Sequence, residues 1–210
     1  MQINHVDIDS LKYLLFNTSI LVGLLTLFTY VLNTTGILSL SFPRFILTTT
    51  ILVLIILSNL IVRILIAKWR GCVYSYEHSL PISFLSAILA ARTLGALPTL
   101  YTGGSKLTEN PIERVGYATT AVSQEELSLV ARIPLTLNLI TTLFLLLTQL
   151  VTTTLFFYTA LLLTTYTLLS LIPYPFSNGM HILSYNGSQW KRYVYTTLIL
   201  LVATLIFGNI

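Results

Sequence analysis

Apolar residues dominate this chain in long blocks, and the blocks rather than any periodic alternation within them define its elements. Residues 11–32 form the first block, closed by Asn33, Thr34, Thr35 and Gly36, with residues 39–43 reading as a loop. Residues 44–67 form the second, ended by Lys68, Trp69, Arg70 and Gly71. Each is long enough for a helix to cross a hydrocarbon core of roughly 30 Å, which takes about 20 residues. Residues 133–172 carry no charge at all. One helix over that length would span about 60 Å, twice the membrane, so the stretch must turn back once, and the polar run 148–153 is the place for it. Residues 193–207, preceded by Lys191 and Arg192, form the last block.

The middle of the chain breaks this pattern. Residues 80–97 are apolar but contain Pro81, Arg92 and Gly95, a poor spanning helix that reads as re-entrant or interfacial. Residues 102–124 are polar and rich in turn residues, and a polar cytosolic loop is expected over 98–128. The pattern predicts an all-α polytopic membrane protein, a single transmembrane domain over 1–210. It has about five transmembrane helices, or six, with the re-entrant or interfacial segment between spans two and three.

Composition agrees. Of 210 residues, 55% are hydrophobic and 9% charged, and the mean hydropathy is +0.84. A water-facing surface needs about 25% charged residues. The net charge of +4 comes from scattered Lys and Arg, which reads as topology signals and lipid head-group contacts rather than a nucleic-acid surface. The single cysteine, Cys72, excludes an internal disulfide and a cysteine-based zinc site. The first ten residues are polar and lack a basic n-region, so the first apolar block is expected to remain as an anchor.

Orientation follows from the cations. With the N-terminus in the cytosol, nine Lys and Arg fall inside and only Arg44 outside, as the positive-inside rule requires. Arg63 lies within the second block and is expected to snorkel to the cytosolic interface. The sequon Asn33-Thr34-Thr35 then faces outward. Threonines within the blocks can bond their hydroxyls to preceding carbonyls and are expected at helix packing surfaces.

Three segments together resemble one family. Residues 168–182, L-L-S-L-I-P-Y-P-F-S-N-G-M-H-I, resemble an apolar run followed by P-x-P-P-L-D-G. Residues 126–138, E-L-S-L-V-A-R-I-P-L-T-L-N, resemble an acidic residue followed by A-L-A-G-P-L-T-N. Residues 57–63, L-S-N-L-I-V-R, fall in order where L-H-E-x-x-H-K would stand, and 67–72 resemble A-x-x-x-G-C. Gly103-Gly104 matches a glycine pair in the following loop. These are motifs of the site-2 protease family of intramembrane zinc metalloproteases, with archaeal-like features, and the resemblance covers residues 51–190. It implies zinc ligands at Ser58, Val62 and Asn178 and a catalytic glutamate at Asn59, and none of these four can do that work. Zinc catalysis needs three ligands and an open position, with a carboxylate as base. Valine cannot ligate, and neutral serine and asparagine oxygens are poor ligands.

The resemblance therefore implies a pseudoprotease with no cofactor, a scaffold or binding partner of other membrane proteins in the cell membrane. Asn59 and Asn178 are expected to hydrogen-bond where ligands once converged. Two other readings stand beside it. One is an active membrane metalloprotease with an unconventional site at Glu77, His78 and His181, disfavoured because adjacent residues diverge in direction. The other is an accessory subunit of a larger membrane complex. Transport is least favoured, since paired intramembrane charges are missing from the spans. Glu109, Glu113, Glu125 and Glu126 read as solvated surface, with a docking face for a basic partner as the alternative.

Overall fold

The computed structural model describes residues 2–3, 6–7, 42–78, 103–109, 121–149, 155–173 and 177–207. Among them are five helices: α1 (Phe42–Trp69), α2 (Gln124–Gln149), α3 (Leu155–Ser170), α4 (Asn178–Tyr185) and α5 (Gly187–Phe207). Four strands accompany them: β1 (Gln2–Ile3), β2 (Val6–Asp7), β3 (Cys72–His78) and β4 (Gly103–Glu109). The first apolar block, the 80–97 segment and residues 150–153 of the expected turn lie outside the described residues, while Thr148 and Gln149 still belong to α2. Two helical stretches, Ile46–Trp69 and Gln124–Thr148, are long and apolar enough to cross a membrane.

α1 ends by ordinary C-terminal chemistry. The Gly71 N–H bonds to the Lys68 carbonyl at 3.0 Å and the Arg70 N–H to Ile66 at 3.0 Å, and Gly71 takes the left-handed φ of 63° that a residue without Cβ adopts freely. The chain then enters β3, so it is not all-α. The strands form one mixed sheet in the order β1-β2-β3-β4: β1 and β2 antiparallel, β2 and β3 parallel, β3 and β4 antiparallel. Cys72 and Tyr74 are buried while Val73 and Ser75 are less so, the period-two alternation of a half-buried strand. Leu107 from β4 joins them. Residues 103–109, expected as loop, are thus a strand, because pairing with β3 satisfies their backbone groups.

Three apolar clusters hold the helices together. At the sheet end, Ile66 and Ala67 of α1 and Val130 of α2 pack on Cys72, Tyr74 and Leu107. At the other end, Leu52 and Ile56 of α1 meet Leu145 and Leu146 of α2 and Ala160, Leu162 and Leu163 of α3. The third joins Ala131 and Leu135 of α2 to Leu171 and to Ile182 of α4, with Trp190, Tyr193 and Val194 of α5 against it. Buried threonines sit among the helices as expected. Thr164 donates to the Ala160 carbonyl at 2.7 Å and Thr167 to that of Leu163 at 2.7 Å, so their hydroxyls enter the core already satisfied.

Candidate functional site

The interior face of α1 runs through Thr48, Leu52, Ile56, Asn59, Arg63, Ile66 and Ala67, all buried, at the three- and four-residue steps of one helical stripe. Midway, between the two apolar clusters that α1 joins, the stripe turns polar. Asn59 Nδ2 donates to Asn138 Oδ1 of α2 at 2.7 Å. One turn on, Arg63 Nη1 donates to Asn178 Oδ1 at the start of α4, at 2.9 Å. These four side chains are between 1% and 7% exposed. Buried polar groups of this kind are tolerated when paired, and here the pairs link three elements far apart in sequence. Tyr166 of α3 lies within electrostatic reach of both Arg63 and Tyr74.

Asn178 is held by its flanks. Ser177 caps α4, its Oγ accepting from the Met180 N–H at 3.0 Å and donating to the Ile172 carbonyl at 2.8 Å. Gly179 packs so tightly on Leu171 that a Cβ would fall 2.1 Å from the Leu171 carbonyl oxygen. The Trp190 indole N–H donates to that same oxygen at 2.9 Å. On α2, Asn138 stands one turn past Pro134, which is inside the helix and removes one backbone donor there.

Several sequence expectations require correction. Ser58 is exposed, its hydroxyl donating back to the Ile55 carbonyl at 2.7 Å, and Val62 packs against the sheet-end cluster instead. Asn178 Oδ1 accepts from Arg63 instead. Asn59 and Asn178 do not bond to each other; each takes a different partner, Asn138 and Arg63. Arg63 does not snorkel. It lies four residues after Asn59, on the buried stripe, and that register turns its guanidinium inward. Glu126 is not solvated surface: its Oε2 accepts from the Ser123 N–H at 2.8 Å and Ser123 Oγ accepts from the Glu126 N–H at 3.3 Å, a capping box for α2. Glu113 lies outside the described residues.

Sequence reasoning did not single out Asn138. Its signal was available: an asparagine inside a forty-residue uncharged stretch, where an unpaired amide is costly. His181 is buried in α4, whereas the side chains of Glu77 and His78 lie outside those described. Among the described residues, no group of three His, Cys, Asp or Glu is placed to hold a metal ion. Zinc does not fit the α1–α4 junction. Asn178 Oδ1 faces a permanent cation, Arg63, and Asn59 is turned to Asn138.

Set against known protein families, curated proteins and solved structures, the chain matches none. Its class rests on the fold: a mostly helical protein, with two helices able to cross a membrane and a buried polar junction between them.

Proposed function

We propose that this chain is a multi-pass protein of the cell membrane that acts by binding, a site-2-protease-like scaffold without a catalytic metal whose partners are other membrane proteins. The observation that carries this reading is the junction itself. The three segments that resemble the protease motifs, 57–63, 126–138 and 168–182, are those tied together by Asn59–Asn138 and Arg63–Asn178. Hydrogen bonds between neutral amides and a guanidinium link the elements where the family resemblance implies a metal. The register supports a further step. The buried pair with the four-residue spacing of two helical ligands is Asn59 and Arg63, so the motif position is better read one residue later, with Leu60 in place of the glutamate.

The sheet supports the multi-pass topology. β2 pairs in parallel with β3, Val6 beside Tyr74, at the end where α1 finishes. With α1 crossing once, the return of the chain to that end calls for a second crossing between Asp7 and Phe42. The apolar residues 11–32 are long enough to supply it. The N-terminus is then cytosolic, with Lys68 and Arg70.

Metal analysis tests the reading. Protein purified in mild detergent from zinc-supplemented cells is expected to carry zinc only at background. About one zinc per chain, the stoichiometry of a catalytic site, sinks it and returns the His181 reading to first place.

A further inference from the structure

A cleft between α2 and α5 joins two cations to an apolar flank. Its volume is about 350 Å³, and it is lined by Arg132 and Leu139 of α2 and by Gln189, Arg192, Tyr193 and Thr196 of α5. Arg132 and Leu139 are two helical turns apart and share a face, as do Gln189, Arg192 and Thr196. No carboxylate is among these residues. One guanidinium is held in place: Arg132 Nη1 donates to Gln189 Oε1 at 2.7 Å, and the group lies 5.2 Å from the Tyr185 ring centroid. Among the described residues its buried Nε finds no hydrogen-bond partner, so donor capacity remains. The Thr136 and Tyr193 hydroxyls bond at 2.8 Å and pin the helices together. Arg192 is exposed and can swing onto a ligand.

Depth and surroundings specify that ligand. Both arginines lie within the first three turns of their helices, at the sheet end of the molecule. Farther along, α2 exposes Ile140 and Phe144 while α5 exposes Ile199 and Val202. A fixed guanidinium and a mobile one form the fork that phosphate oxygens take, and basic pockets between membrane helices hold anionic head groups. We propose that this cleft binds the phosphate head group of an anionic phospholipid, whose chains follow the apolar rows of α2 and α5. The proposal rests on the membrane reading of the chain and is independent of the pseudoprotease reading.

Native mass spectrometry of the full-length chain in neutral detergent tests it, with phosphatidylglycerol, phosphatidylcholine and inorganic phosphate as probes. One phosphatidylglycerol is expected to stay bound under conditions that strip phosphatidylcholine. Arg192→Gln is expected to weaken it roughly fivefold, the weight of one interfacial cation. Lys191→Gln, exposed and outside the cleft, is expected to leave it unchanged. Equal retention of both lipids, or equal loss in the two variants, overturns the site in favour of diffuse surface charge. Displacement by millimolar inorganic phosphate overturns the lipid assignment in favour of a small-anion site. Release of the chain from membranes by alkaline wash shows instead that the membrane reading has failed.

Discussion

At the residue scale, the junction's two hydrogen bonds differ in what they can be worth. The Asn59–Asn138 amide pair is the cleaner probe, because Arg63 carries further interactions of its own. Both amides are fully enclosed, so removing one leaves the other buried without a partner, which costs about 1–3 kcal/mol. Removing both leaves only the lost bond, since the space can be refilled by apolar atoms. Asn59→Leu and Asn138→Leu are each expected to lower the thermal unfolding midpoint in detergent, and the double variant to lose clearly less than the sum. The coupling expected for such a pair between membrane helices is about 0.6 kcal/mol and rarely above about 1.7 kcal/mol. Strictly additive losses would mean that the pair does not tie the helices together. The sequence displayed both Asn59 and Asn138 but not their pairing. Nothing in one chain says which of several asparagines an amide will meet, so the expected Asn59–Asn178 bond gave way to two others.

At the element scale, most helix bodies were readable and their ends were not. The block at 44–67 became Phe42–Trp69, and the length of the uncharged stretch rightly demanded a break between α2 and α3. Hydropathy alone starts α2 at 133 and α5 at 193, but the helices begin at Gln124 and Gly187. Their first turns are polar and are secured by caps, the Ser123–Glu126 box and Asn186 Oδ1, which accepts from the Ser188 N–H at 3.0 Å. The strand β3 showed its alternation in C-V-Y-S-Y-E-H, yet a seven-residue signal is easily lost beside long apolar blocks. The helix face is the consequential miss. Ser58 and Val62 share a face, as expected, but it is not the buried one, because one residue turns an α-helix by about 100°. Two designs separate the registers. Asn59→His, Leu60→Glu and Arg63→His with Asn178→Asp place ligands on the buried stripe and are expected to take up about one zinc per chain. Ser58→His, Asn59→Glu and Val62→His with Asn178→Asp place the two histidines off the buried stripe and are expected to stay at background. Zinc in the second design alone would restore the original register.

At the scale of the whole molecule, three features gather at one end: the sheet, the start of α2 and the start of α5. Val130 packs with Cys72 and Leu107, and Arg132 reaches Gln189, so β4 and the first turn of α5 must lie on the same side of any membrane that α1 and α2 cross. That end also carries Lys68, Arg70, Lys106, Arg132, Lys191 and Arg192, a bias that on the proposed membrane reading assigns it to the cytosol. A labelling experiment follows with little background, because the one native cysteine, Cys72, is buried. Lys106 and Ser188 are both exposed. Lys106→Cys and Ser188→Cys are expected to react with a membrane-impermeant maleimide in inside-out vesicles and to stay unlabelled in intact cells. Labelling of both from outside would invert the topology while keeping the fold. Labelling of the two from opposite faces would break the shared end itself, and with it the placement of the sheet beside the cleft. Because β2 lies against β3, an N-terminal tag must follow Lys106 to whichever side it takes, and a tag on the opposite face would exclude the second crossing before Phe42.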